Sequence, residues 1–259
     1  MRPGVAAVVL VSTVAGVAAG VWWDRTHPPA PALQQQVAGE LGEHGAEEWF
    51  ALQRRYGTRY SRNAEEWVAR DFFQDKRGGV FVDVGANDPR TENNTYFLEA
   101  TLDWSGIAID AMGEFAPDYA RYRPRTRFFA LFVSDVSDTM EDFFVPTLGP
   151  LGATNNRAFA ERDGGPVEAR KVRTITLNDL LAHEKIEKVD FVSMDIELSE
   201  PKALAGFDIE RYRPDLVCIE SHQPVRQAIL DYFQRHHFVV VGKYLGLDPQ
   251  NLYFTRAQQ

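Results

Sequence analysis

The chain has 259 residues, 44% of them hydrophobic and 25% charged, with 28 basic against 37 acidic side chains and a net charge of −9. That composition buries a core and excludes global disorder, while the acidic surface repels phosphate backbones, so no nucleic acid partner is expected. A lone cysteine, Cys218, excludes a disulfide scaffold and a multi-cysteine zinc site.

Val5 to Trp23 is an uncharged run of nineteen residues closed by Trp22 and Trp23. As a helix it would rise about 28 Å, close to the roughly 30 Å of a hydrocarbon core. Residues 1–25 therefore predict an N-terminal transmembrane helix that anchors the chain to a membrane. A cleaved signal peptide, with small residues at Val17-Ala18-Ala19-Gly20, is the rival reading. Arg2 before the run and Arg25 after it orient it weakly, with the domain leaning outside. Residues 26–55 read as a Pro-rich spacer followed by a lead-in helix, and 56–259 as the globular domain. The stretch 38–75 predicts helix in two pieces, broken near Tyr56-Gly57, with Asn63 and Glu66 as a capping box for the second.

Short apolar runs follow, several ending in an acid: Val80–Gly85, Gly106–Asp110, Phe128–Val133, Val189–Asp195, Leu216–Glu220 and Phe238–Val241. Continuous hydrophobicity without alternation marks strands buried on both faces, as in a parallel sheet. Helical stretches near 92–102, 113–122, 175–184 and 222–235 separate them, which predicts a doubly wound α/β sheet. Asp248 to Phe254 predicts a last strand pairing back as a hairpin. The connection 146–171, rich in Gly, Pro and Asn, predicts a loop over the acceptor side.

In such a sheet the ligand lies outside the carboxyl ends of the strands. The candidate site is then Asp83, Gly85, Asn87, Asp110, Ser134, Asp195, Glu197, Glu220 and His222. The first turn, Asp83-Val84-Gly85-Ala86-Asn87-Asp88, carries one glycine and two carboxylates. A pyrophosphate needs a glycine-rich turn and no facing acids, so a dinucleotide is excluded. S-adenosylmethionine suits the turn, because it carries an adenosine, a cationic sulfonium and no phosphate. Asp110 is placed to accept the ribose hydroxyls. Gly85, Asn87 and Ser134, with Asp83, complete the expected cofactor set.

The segments Val80–Pro89, Asn93-Asn94-Thr95-Tyr96-Phe97-Leu98-Glu99 and Trp104–Asp110 resemble the FkbM family of S-adenosylmethionine-dependent methyltransferases. Val172–Leu181 and Val189–Glu197 resemble the family's later motifs, with Leu198 standing where its usual glycine follows Asp-Ile-Glu. The resemblance covers about residues 56 to 255. It implies a Rossmann-like class I methyltransferase fold and transfer of a methyl group, usually to a hydroxyl oxygen.

Methyl transfer to an alcohol calls for alignment and a general base. Asp195, Glu220 and His222 are the expected catalytic residues, with His222 favoured as the base because imidazole titrates nearest neutrality. No metal is assigned; a divalent cation on Asp195, Glu220 and His222 is the alternative use of those side chains. The expected acceptor is a small hydroxylated metabolite or carbohydrate. A catalytic domain is expected on the cytoplasmic side, where its cofactor is. The competing reading is a membrane-anchored binding module that keeps the fold without the chemistry.

Overall fold

The computed structural model describes residues 31–147, 149 and 152–257. The run Val5–Trp23 lies outside them; among the described residues no helix is long and apolar enough to cross a membrane.

The chain opens with helix α1 (Pro31–Tyr56), kinked at Gly42, and α2 (Glu65–Phe73). The break after Tyr56 falls where the sequence puts it. The capping box does not form: Ala64 is the cap residue and Asn63 makes no side-chain cap. Instead the Glu66 N–H donates to Ser61 Oγ at 3.1 Å, while the Glu66 carboxylate accepts the Tyr60 N–H at 2.7 Å. The same reciprocal logic holds over a wider loop, because Glu65 takes the Asn63 N–H at 2.8 Å.

Strands β1 (Val80–Val84), β2 (Ser105–Asp110) and β3 (Thr126–Ala130) alternate with α3 (Tyr96–Leu102) and α4 (Ala116–Tyr122). Then come β4 (Phe132–Val133), β5 (Met140–Pro146), α5 (Arg157–Ala160), β6 (Val167–Ile175) and α6 (Leu177–His183). The last part holds β7 (Phe191–Met194), α7 (Glu200–Ala205), α8 (Ile209–Tyr212), β8 (Leu216–Glu220), α9 (Gln223–Arg235), β9 (Phe238–Val240) and β10 (Asn251–Arg256). The main sheet has the order β3-β2-β1-β7-β8-β10-β9. All its pairings are parallel except those of β10, which runs antiparallel to β8 and β9. The expected tail hairpin forms, with β10 pairing back on β9, and its second strand is also inserted beside β8, inside the sheet.

Two features depart from the sequence reading. Phe128–Val133 is two strands: β3 ends the main sheet, and β4 pairs with β6 in a separate three-stranded sheet. The expected loop 146–171 holds for 147–166, which connect β5 to β6 and carry α5, while Pro146 and residues 167–171 belong to the strands of that hairpin. β6 is a charged, half-exposed strand, so no continuous apolar run announces it.

Both faces of the sheet are covered. Val82, Val84, Ile107 and Ile109 pack on one face against Leu177, Leu181, Leu204, Tyr212, Ile229 and Phe233. Phe81, Phe191 and Cys218 pack on the other against Trp49, Leu52, Trp67 and Leu98, so the lead-in helix belongs to the same body. Buried Cys218 has its thiol pushed well up by desolvation and is inert core.

Glu65 and Glu66 begin α2, where carboxylates suit the helix dipole, but both are buried and desolvation raises each to about 7. A folded-state value raised above the unfolded one means stability is greatest below the unfolded value and falls as pH rises through the folded value. Each such group contributes at most about 1.4 kcal/mol per pH unit in that window. Urea unfolding of the full chain should therefore show stability falling from pH 5 to pH 8. Glu66→Gln, which keeps an acceptor for Tyr60, should flatten that fall; an unchanged slope would show that Glu66 is not the source.

Candidate active site

The chain reverses direction across the sheet at β1: β2 and β3 build to one side, β7 and β8 to the other. A crevice opens outside the carboxyl ends of these strands, where this sheet type binds ligands. Its walls include Asp83, Gly85, Asn87, Asp110, Asp195, Glu197, Glu220 and His222. The candidates gathered from the sequence therefore meet in one place, apart from Ser134. That residue is fully buried, its hydroxyl turned to Asp135 at 3.0 Å and its N–H bonded to Ile175 as β4 leaves for the second sheet. Phe132 and Val133 of β4 still line the crevice, but Ser134 is turned inward at the end of that strand.

Gly85 sits at φ +80°, and a Cβ there would lie 1.8 Å from the Asp195 carbonyl oxygen. The turns after β1 and β7 touch backbone to backbone, so only glycine fits. Asn87 holds a left-handed φ of 49°, which asparagine tolerates, and donates its N–H to Asp110 Oδ2 at 2.9 Å. The other Asp110 oxygen accepts the Met112 N–H at 2.8 Å. Both Asp110 oxygens are thus aimed by backbone and keep free lone pairs toward the crevice. Desolvation raises Asp110 to about 6.

Asp83 points to the opposite face of β1 from Val82 and Val84. Its carboxylate accepts the Thr95 hydroxyl at 2.8 Å, and burial raises it to about 6. Thr95 belongs to a buried polar lattice centred on Arg123. That guanidinium donates to Pro89 O at 3.0 Å, Asn93 Oδ1 at 3.0 Å, Thr95 Oγ1 at 2.9 Å and Thr126 Oγ1 at 3.2 Å, and it pairs with Glu99. The Asn93 amide bonds Ala86 O, Asp88 O and the Tyr119 hydroxyl. Asn93 is 1% exposed, so the Asn-Asn-Thr pattern cannot carry a glycan on the folded chain.

At the other end of the crevice the turn after β7 carries Asp195, Glu197 and Leu198. Asp195 opens to solvent inside the crevice but is walled by protein on its remaining sides. Desolvation, then the Glu220 and Glu197 carboxylates, push it well above the ordinary range. His222, the cap of α9, lies with Nε2 3.4 Å from Glu197 Oε2 and 3.0 Å from Glu220 Oε1. Those two carboxylates push the imidazole up to about 10. With no other cation beside those carboxylates the ring favours its protonated form, which works against His222 as the base expected from the sequence.

Seven carboxylates line the crevice against Arg62, Arg162 and His222. Such a site favours a cationic ligand. Ala111, Met112, Leu131, Phe132 and Phe143 form an apolar stretch of the same wall, beside Asp110. Several contributors had no legible signal. Arg62 and Gln250 arrive from a loop before α2 and the turn before β10. Gly152 and Arg162 come from the β5–β6 connection, where Arg162 stacks on Phe159 at 4.0 Å. Glu200, fully buried and raised to about 8 by desolvation, stands behind Glu220.

Residues 83–240 match the family model described as the methyltransferase FkbM domain. No curated protein matches the chain. Among solved structures the chain is similar to a TehB-like SAM-dependent methyltransferase from Corynebacterium glutamicum, at 13% identity and TM-score 0.43, covering 88% of this chain and 100% of that one. It is similar also to an O-methyltransferase from Bacillus cereus in complex with SAH, at 12% identity and TM-score 0.41, covering 87% and 97%. A third is 1,6-didemethyltoxoflavin-N1-methyltransferase from Burkholderia thailandensis, at 15% identity and TM-score 0.38, covering 90% and 93%.

Leu198 has φ +77°, directly after Glu197 at +53°. A left-handed backbone costs a residue with a Cβ about 1–2 kcal/mol relative to glycine. That explains why a glycine suits this position and marks Leu198 as strained. Leu198→Gly should be more stable than Leu198→Ala by about 1 kcal/mol in urea unfolding. Equal stabilities would contradict the left-handed turn.

Proposed function

The chain belongs to the methyltransferase FkbM domain family, and from that premise we propose that it moves a methyl group from S-adenosylmethionine to a hydroxyl oxygen of a small metabolite or carbohydrate. The observation that carries this reading is the pairing of Gly85, closed against the Asp195 backbone, with an Asp110 carboxylate aimed by two backbone donors. The donor set suits the cofactor: an acid for two ribose hydroxyls, an apolar wall at Met112, Leu131 and Phe132 for an adenine, and an acidic lining for a sulfonium and an ammonium.

When bound, S-adenosylmethionine supplies a methyl carbon on a positive sulfur, which an acceptor oxygen displaces in line while the C–S electron pair stays on sulfur. The chain's share is positioning, exclusion of competing orientations and removal of one proton. Asp110 and the Asn87 turn orient the ribose. Asp195 is the most exposed acid of its cluster, and in its ionised form it would take the acceptor's hydroxyl proton, for which its carboxylate neighbours raise its affinity. Glu220 and His222 stand behind it and set the electrostatics of that wall.

Calorimetric titration of the full chain with S-adenosylmethionine and S-adenosylhomocysteine tests the reading. Binding in the micromolar range should be lost, by roughly 100-fold or about 2.7 kcal/mol, in Asp110→Ala and in Gly85→Ala, with the melting transition retained. No heat from a folded wild-type chain would overturn it and leave a binding module on a methyltransferase fold.

Tethering through Val5–Trp23 belongs to the same proposal, with the domain on the cytoplasmic side beside its cofactor. The full chain should then stay in the membrane pellet after alkaline carbonate washing. Release into the supernatant would count against the anchor.

A further inference from the structure

The carboxyl end of β8 brings Glu197, Glu220 and His222 together, each offering one ligand atom, with all three atoms within 4.8 Å of one another. They come from three separate places: the turn after β7, the last residue of β8 and the cap of α9. Nε2 of His222 is 3.0 Å from Glu220 Oε1 and 3.4 Å from Glu197 Oε2, yet neither approach has hydrogen-bond direction. His222 Nε2, Glu197 Oε2 and Glu220 Oε2 are all shielded from solvent and have no hydrogen-bond partner among the described residues. Glu220 is only 3% exposed, so its orphaned oxygen carries a full desolvation penalty.

A single proton does not resolve this. A ring N–H donates along one axis, to one carboxylate, and so cannot serve both Glu197 and Glu220. Arg162 stops 4.0 Å from Glu197 Oε1 and is stacked on Phe159. The two separations from His222 Nε2 fit a common central ion. Ligand bonds of about 2.1 Å set neighbouring donor atoms about 3.0 Å apart in octahedral and about 3.4 Å apart in tetrahedral coordination.

We infer that Glu197, Glu220 and His222 form a site for a divalent transition-metal ion of the Mn2+ class. Two carboxylates suit a hard ion, and the imidazole favours a first-row transition metal over Ca2+ or Mg2+. Glu197 takes the place that the sequence reading gave Asp195 in its metal alternative. Three protein ligands leave coordination positions open toward the crevice, beside Asp195. The site stands on these side chains alone; joined to the methyl-transfer reading, it gives the acceptor oxygen a point of attachment.

The test uses the full chain, stripped with a chelator and titrated with MnCl2 alone, with free Mn2+ followed by electron paramagnetic resonance. One ion should bind per chain with micromolar affinity, and pulsed spectra should show coupling to a ligand nitrogen. His222→Ala should remove that coupling, and Glu220→Gln and Glu197→Gln should each weaken binding by roughly tenfold or more. Glu197 is only partly buried, so its variant keeps the test valid if Glu220→Gln does not fold. Absence of Mn2+ binding at millimolar concentration, or binding with no nitrogen coupling, would overturn the proposal. Because no cofactor is added, neither result depends on S-adenosylmethionine binding.

Discussion

The buried guanidinium of Arg123 is the interaction from which the cofactor end of the crevice is built. It joins the loop after β1, through Pro89, Asn93 and Thr95, to Glu99 of α3 and to Thr126 at the start of β3. Its side chain is fully buried and Glu99 nearly so. Removing one partner from such a pair strands a charge and typically costs about 3–5 kcal/mol. Through Thr95 the lattice also reaches Asp83, and through Asn93 it fixes the carbonyls of Ala86 and Asp88. The turn that carries Gly85 and Asn87 is therefore held from beneath, and Asp110 gains its aim from that turn.

The other end of the crevice is built on repulsion. Asp195, Glu197, Glu200 and Glu220 converge on the ends of β7 and β8, and the Glu200 and Glu220 side chains each keep a buried oxygen with no donor among the described residues. An arrangement that costs the folded chain stability persists where a ligand relieves it. The contrast between the two ends is physical: polar groups around Arg123 are satisfied and rigid, whereas those around Glu220 await a cation. A site of this kind holds a ligand's adenosine on fixed backbone and leaves the reacting end electrostatically primed.

Much of this was legible in the sequence. β1, β2, β7 and β8 read as apolar runs because both faces of the sheet are covered, and the acids at their ends read as a site because strand ends in such sheets converge. The loop residues Asn93 to Thr95 also carried a recognisable pattern, and their burial beneath the turn explains why that pattern is so demanding. Other features depended on long-range pairing that no local run encodes. Phe128 to Val133 is uniformly apolar, yet β4 leaves the main sheet to pair with β6. β6 itself is charged and half-exposed, stabilised by cross-strand partners such as Lys171 with Asp142. Leu198 was visible as a departure, but its left-handed backbone was not. The raised proton affinity of His222 follows from two carboxylates that only the folded chain brings beside it.

A crystal structure of the full chain grown with S-adenosylhomocysteine tests the central claim most directly. The account predicts the ribose hydroxyls on the Asp110 carboxylate, the adenine against Met112 and Phe132, and the amino-acid end passing over Gly85 toward Asp195. A ligand bound elsewhere on the chain, or an Asp110 carboxylate turned away from a ligand in the crevice, would contradict it.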